Sequence, residues 1–199
     1  MRRSSPFWRE RRMNAVEFAE LLPKRGTIAV SGGRYEDEII SAVAYVNSEG
    51  GDLKLIPLSP MQIQRALELG IPTVRGYPTY FILQAEYKGP DYLLQSQTAS
   101  VFADRIMSKM AEHVWAFVTR NVKKTLVEAV PQFLDYTLDE LSLYGEVEEH
   151  FKNYMGHVLI RLKPFEEDFF HLAHTLRDIP GVIDVGIYLE PPEKVLVFK

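Results

Sequence analysis

Residues 69–90, LGIPTVRGYPTYFILQAEYKGP, contain the apolar run on which the fold prediction depends. The run at 80–84 is rich in aromatic and β-branched side chains, so it predicts a buried strand. Gly89 and Pro90 after it are typical of a turn, and DYLLQSQ at 91–97 predicts the return strand of a hairpin. The segment therefore places a strand and a hairpin near the middle of the chain.

Upstream of this segment, short apolar runs alternate with amphipathic stretches. The predicted helices are 14–22, 35–51 and 59–70, and the predicted strands are 27–30 and 52–58. Ser59 is a favourable helix cap, with Pro60 at the first helical position and Gly70 just past the end. The resulting α-β-α-β-α order predicts a parallel sheet with helices on its faces.

Downstream of the hairpin, apolar residues recur at spacings of three and four. These residues are Phe102, Ile106, Met110, Val114 and Phe117. The spacing predicts one long helix from about 98 to 130, which Pro131 ends. Residues 132–156 predict a shorter helical connector, and residues 157–198 predict a strand-helix-strand-strand unit. We therefore predict a basic arm at 1–13, an α/β domain at 14–125, and a connector plus βαββ unit at 126–199.

Composition excludes several classes of protein. The chain has 199 residues, of which 46% are apolar and 25% charged, as in ordinary globular domains. It contains no cysteine, which excludes disulfides, thiolate metal sites and thiol nucleophiles. No apolar run is long enough to span a membrane, and the basic N-terminus has no apolar core typical of a secretory signal. These features favour a cytoplasmic protein that needs no cofactor.

The N-terminal arm is strongly basic, although the whole chain carries a net charge of −4. Its basic and aromatic residues are Arg2, Arg3, Trp8, Arg9, Arg11 and Arg12. With Glu10 as the one acidic residue, residues 1–12 carry +4, and the remainder carries −8. A basic arm on an acidic body predicts contact with a neighbouring copy or with nucleic acid, unless Met13 is the functional start.

The order of elements in residues 15–112, with GYPT at 76–79 opening a strand, resembles the thioredoxin fold. Pro78 matches that family's cis-proline, and it lies 47 residues after Ser31. The loop SGGR at 31–34 stands where the family has Cys-x-x-Cys, and a serine hydroxyl is too weakly acidic to replace a thiolate. The resemblance implies a redox-inactive binding module. Its groove would be formed by Ser31, Gly32, Gly33, Arg34, Tyr77, Pro78 and Thr79.

Two other resemblances keep alternatives open. IAVSGGRYEDEI at 28–39 is similar to the phosphate loop of PP-loop ATP pyrophosphatases, which implies a nucleotide binder. However, Glu36, Asp37 and Glu38 would repel a phosphate at the helix start. LRDIPGVIDV at 176–185 is similar to Lrp-type ferredoxin-like regulatory domains. That similarity implies an uncovered sheet edge and favours a homo-oligomer.

Metal binding and general acid–base catalysis are the least favoured of the functions considered. Glu167, His171 and His174 share one face of a predicted helix, but apolar neighbours indicate an ordinary amphipathic surface, and we predict no metal. Acidic clusters fall at predicted helix starts with no catalytic partner at a recognisable spacing. The interpretation is therefore a non-catalytic scaffold or assembly protein. Nucleic-acid binding through the arm and nucleotide binding at the Ser-Gly-Gly loop are the alternatives.

Overall fold

The structure is a computed structural model, and it describes residues 12–13, 15–118 and 122–198. The predicted arm contacts of Arg2, Arg3, Trp8, Arg9 and Arg11 lie outside the described residues and stay predictions. The chain divides into two compact units that are each discontinuous. The first comprises Met1–Gln84, Met107–Thr119 and Pro192–Lys199, and the second comprises Ala85–Ile106 and Arg120–Pro191. The continuous boundaries near residues 13 and 125 stay a prediction.

Strands and helices of the described residues alternate through the first third of the chain and mix thereafter. The strands are β1 (Arg12–Met13), β2 (Arg25–Val30), β3 (Asp52–Ile56), β4 (Tyr80–Ala85), β5 (Tyr87–Lys88), β6 (Leu93–Leu94), β7 (His113–Val118), β8 (Thr125–Ala129), β9 (Gly145–Lys152), β10 (Val158–Pro164), β11 (Val182–Val185), β12 (Ile187–Tyr188) and β13 (Lys194–Phe198). The helices are α1 (Ala15–Leu21), α2 (Glu36–Ser48), α3 (Pro60–Glu68), α4 (Val101–Met110), α5 (Leu134–Ser142) and α6 (Phe169–Arg177).

The first unit is built on one six-stranded sheet with the order β1-β13-β7-β4-β2-β3. Strand β2 pairs in parallel with both β3 and β4, and β13 pairs in parallel with β1 and β7. The predicted parallel sheet is therefore confirmed. Because β3 and β4 lie on opposite sides of β2, the chain reverses its direction of travel across the sheet at β2.

Local sequence signals explain the helices of the first unit. In α2 the buried residues Ile39, Ile40, Val43 and Val46 recur at helical spacing, and three acidic residues occupy the first turn. In α3 the Ser59 side chain accepts a hydrogen bond from the Gln62 backbone N–H at 3.2 Å, as predicted for a cap. The helices pack on a core that includes Phe18, Ile28, Leu53 and Phe117.

The second unit contains a four-stranded sheet, β11-β8-β10-β9, and a small sheet, β12-β6-β5. Strand β8 pairs antiparallel with β10 and β11, and β10 pairs antiparallel with β9. The Gly89-Pro90 turn joins β5 and β6 in a hairpin, with Tyr87 opposite Leu94. The first strand of this hairpin is β5 and not the predicted strand at 80–84, which belongs to the parallel sheet. Helix α6 packs on this unit's own core, which includes Phe169, Leu172 and Leu176.

Three parts of the fold prediction were wrong. The long helix at 98–130 ends at Met110, and strands β7 and β8 follow it. Strand β7 is covered on both faces, and its residues Trp115, Ala116, Phe117 and Val118 are all buried. Such a strand has apolar residues at every position, so it also matches the three- and four-residue spacing of a helix. The predicted connector at 132–156 is helical only to Ser142, and β9 follows at Gly145–Lys152. The C-terminal βαββ unit is not formed, because β13 joins the parallel sheet.

Among the described residues, no helix combines the length and the apolar character needed to cross a membrane.

Candidate active site

Residues 95–100, with the sequence QSQTAS, follow β6 and lie among three buried carboxylates of the second unit. Glu86, Asp104 and Glu128 expose only 3%, 1% and 0% of their surface. Each accepts a hydrogen bond from this segment: Glu86 from Ser96, Asp104 from Gln95 and Thr98, and Glu128 from Ser100. Buried carboxylates are costly, so this concentration marks the segment as a candidate site.

Glu86 is held in place by its backbone as well as its side chain. Its N–H donates to the Leu94 carbonyl, its carbonyl accepts from the Val122 N–H, and its carboxylate accepts from the Ser96 N–H at 2.5 Å. Burial raises the pKa of Glu86 from 4.5 to about 7, although the Ser96 hydrogen bond and the Arg161 charge act in the opposite direction. Near neutral pH both protonation states are populated, as a general acid–base group requires.

Asp104, on α4, accepts hydrogen bonds from two neutral side chains. Its Oδ2 accepts from Gln95 Nε2 at 2.7 Å and from Thr98 Oγ1 at 2.6 Å. The Tyr188 hydroxyl donates to Gln95 Oε1 at 3.3 Å, which orients the Gln95 amide toward Asp104. Burial, followed by the Asp104 charge, raises the pKa of Tyr188 well above its usual range, so Tyr188 remains a donor.

Glu128, on β8, accepts hydrogen bonds from four residues. The donors are Ser100 Oγ, the Phe102 N–H, Asn153 Nδ2 and His157 Nδ1, at 2.8–3.1 Å. Since a carboxylate only accepts, the proton of this contact lies on His157 Nδ1. Glu128 thus ties the start of α4 to the turn between β9 and β10, an arrangement typical of a structural anchor.

A cation completes the surroundings of the segment. Arg161, on β10, donates from Nε to the Ser96 carbonyl at 3.2 Å and forms an ion pair with Glu149. Its charge favours the ionised form of Glu86. The arrangement therefore offers a carboxyl group that titrates near neutrality, hydrogen-bond donors and a nearby positive charge. This is a set of groups suited to moving a proton on a small polar molecule.

The predicted binding groove is divided in the structure. Ser31, Gly32, Gly33 and Arg34 follow the carboxyl end of β2, whereas Tyr77, Pro78 and Thr79 precede the amino end of β4. The register pairs Ile28 with Tyr80, so Pro78 lies level with Gly26. At ~3.3 Å per residue, Pro78 and Ser31 are about 16 Å apart along the strands. The two halves of the predicted groove therefore lie at opposite ends of the paired strands.

The loop at 31–34 is closed by a side chain of the neighbouring strand. Gln84 Nε2 donates to the Ser31 carbonyl at 3.0 Å, the Gln84 N–H donates to Ser31 Oγ at 2.7 Å, and the Tyr35 N–H donates to Gln84 Oε1 at 2.9 Å. A Cβ on Gly33 would lie only 2.8 Å from Gln84 Oε1. Sequence reasoning missed Gln84, yet a single polar residue inside the apolar run FILQA was a signal that could have found it.

The face considered for a metal shows other contacts. Glu167 forms an ion pair with Lys123, and the His171 N–H donates to the Asp168 side chain that caps α6. Within the described ranges, no group of three or more His, Asp or Glu side chains is placed to hold a metal ion.

Comparison with known proteins identifies the fold. No protein family and no curated protein matches the sequence. Solved structures do match: ribose 5-phosphate isomerase A from Methanocaldococcus jannaschii has a TM-score of 0.78 at 20% identity, covering 92% of this chain and 91% of that one. A D-ribose-5-phosphate isomerase in complex with phospho-erythronic acid has a TM-score of 0.80 at 19% identity, covering 93% and 92%. The Plasmodium falciparum ribose 5-phosphate isomerase has a TM-score of 0.76 at 14% identity, covering 92% and 91%.

The chain therefore has the mixed α/β fold of the ribose 5-phosphate isomerases, with a parallel sheet and a separate antiparallel sheet. The resemblances to thioredoxin-like proteins and to Lrp-type regulatory domains were wrong. The redox-inactive, non-catalytic scaffold inferred from them, and with it the expectation of a non-enzyme, is contradicted because the structural neighbours are isomerases. A homo-oligomer stays a prediction.

Proposed function

We propose that the chain is an aldose–ketose isomerase for a small sugar, with Glu86 as the group that transfers the proton. The observation that carries the proposal is a buried carboxyl group of pKa about 7 in a fold that matches isomerases over more than nine-tenths of the chain. The neighbours are named for ribose 5-phosphate, which indicates a pentose or a similar sugar as the substrate class.

The reaction needs a base whose conjugate acid can return the same proton. In an open-chain aldose the base removes the hydrogen of C2, and the electron pair forms the C1=C2 bond of an enediol as O1 gains a proton. Return of the proton to C1, with loss of a proton from O2, gives the ketose. No oxidant or cofactor is needed, because one carbon is reduced as its neighbour is oxidised. A single carboxyl group that titrates near the working pH is suited to both proton transfers.

Surrounding groups fit the same role. The Ser96 N–H and the Arg161 charge favour the ionised Glu86, so they limit the rise of its pKa and keep a fraction of the base available. Gln95 and Thr98 of the same segment donate hydrogen bonds to Asp104 of α4. The segment is thereby held in one conformation, and a pre-organised polar environment needs little rearrangement when charge develops on the substrate oxygens.

The test is an isomerisation assay with two sugars. Purified protein would be incubated in D₂O with D-ribose or with D-ribose 5-phosphate, and NMR would follow ketose formation and deuterium incorporation at C1 and C2. We expect turnover of at least one sugar, and a loss of about 10²–10⁴-fold in kcat for Glu86→Gln. Glu146→Gln, which removes an exposed carboxylate of β9, is the matched control and should retain activity. Full activity of Glu86→Gln, or no turnover of either sugar by the wild type, would refute the proposal.

A further inference from the structure

The carboxyl ends of β2 and β4 form the place where this sheet would be expected to receive a ligand. Strands β3 and β4 lie on opposite sides of β2, and in open parallel sheets such a switch point is where ligands bind. The loop after β2 has consecutive glycines and leads into α2, a helix of 13 residues. A glycine-rich loop at the start of a helix is a common cradle for a phosphate group.

In this chain the cradle is already filled by Gln84. The Gln84 amide oxygen accepts from the Tyr35 N–H, a backbone donor at the start of α2 that a phosphate oxygen would otherwise use. The amide nitrogen holds the Ser31 carbonyl, and Gln84 exposes only 1% of its surface. An uncharged side chain thus takes the place of the anion.

The charges around the loop also oppose a phosphate. The first turn of α2 carries Glu36, Asp37 and Glu38, with Arg34 as the basic residue of the preceding loop. Arg65 lies beside this turn, but its guanidinium is 3.6 Å from Asp37 and also pairs with Glu68. Residues 31–38 therefore carry a net charge of −2, which would repel a phosphate dianion at close range.

We propose that Gln84 closes this loop of the first unit to phosphate, so that a phosphate group or a phosphate ester does not bind there. The inference rests on the loop alone and goes beyond the proposed function, whose candidate site lies in the second unit.

Titration calorimetry of inorganic phosphate into four proteins tests the closure of the loop. The proteins are the wild type, Gln84→Ala, the double variant Gln84→Ala/Glu36→Gln, and the control Gln64→Ala, which removes an exposed glutamine of α3. We expect no phosphate binding at millimolar concentration by the wild type or the control. The double variant should bind phosphate with a Kd at least about tenfold lower than the highest phosphate concentration at which the wild type shows no binding. Phosphate binding by the wild type would overturn the proposal. Absence of phosphate binding by a folded double variant would show that Gln84 is not what closes the loop.

The wild-type titration also decides the inference if the Gln84 variants do not fold. It is independent of the proposed isomerase activity, because it needs no turnover of a sugar.

Discussion

Glu86 and Glu128 are both buried carboxylates of the second unit, and both contact residues 95–100, but they differ in the number of hydrogen-bond donors around them. Glu128 accepts from four residues on two segments, the start of α4 and the turn between β9 and β10. Glu86 accepts from the backbone of Ser96, and burial raises its pKa to about 7. The comparison contrasts two roles for a buried carboxylate: Glu128 joins two segments through its many donors, whereas burial raises the pKa of Glu86 into the range of a proton-transfer group.

The largest expected effect comes from removing the anchor. Glu128→Ala leaves several buried donors, including the His157 ring, without their acceptor, so we expect a loss of about 3–5 kcal/mol in the free energy of unfolding. Urea titration followed by circular dichroism measures it. The matched variant is Glu86→Ala, which deprives fewer donors and should cost less. Equal losses for the two variants would end the distinction between anchor and proton carrier.

A somewhat smaller effect concerns the pH dependence of stability. Since the pKa of Glu86 is raised from 4.5 to about 7 in the folded chain, the folded state binds its proton more tightly than the unfolded state does. The stabilisation from Glu86 is therefore fully present below pH 4.5 and is lost as pH rises through about 7. This linkage is worth ~3 kcal/mol.

The measurement compares wild type with Glu86→Gln, whose side chain does not titrate. Between about pH 4.5 and about pH 8 the free energy of unfolding of the wild type should fall relative to that of Glu86→Gln, and the variant should be relatively more stable at the upper end. Parallel pH profiles for the two proteins would show that Glu86 titrates normally and would remove the contrast with Glu128.

The smallest expected effect concerns Gln84 of the first unit, a buried polar side chain that carries no charge, unlike Glu86 and Glu128. Gly33 has φ of +149°, and a Cβ there would lie 2.8 Å from Gln84 Oε1. Gly33→Ala should therefore cost about 1–3 kcal/mol from backbone strain and the clash. With Gln84→Ala already present, the cost should be smaller by roughly 0.5 kcal/mol or more, because only strain remains. Additive losses in this double-mutant cycle would mean that Gln84 does not press on the loop.

Sequence patterns predicted the parts of the fold whose signals are local. The caps and periodicity of α2 and α3, and the Gly89-Pro90 turn between β5 and β6, are written in contiguous residues. The pairing of β7 with β13 has no such local signal, because it joins residues some 80 positions apart. An α-β-α-β-α order is shared by many folds, and the sheet order that separates them is set by such distant pairings. The thioredoxin-like interpretation failed for this reason.

The candidate site was out of reach for a related reason. Glu86, Asp104 and Glu128 have no characteristic spacing, and their common feature is contact with residues 95–100, which only the folded second unit shows. No motif distinguishes a buried glutamate in QAEYKG from a solvated one. Gln84 differs, since a polar residue within an apolar strand must find partners, and this much could be predicted.

Strand β13 has a consequence for the order in which the chain is completed. It lies between β1 and β7 in the sheet of the first unit, although it is formed by residues 194–198. During synthesis on a ribosome all of the second unit emerges before β13 does, so that unit can fold while the sheet of the first still lacks a strand. Until residues 194–198 have emerged, β7 presents an unpaired edge, which is the kind of surface that chaperones shield and that aggregation exploits.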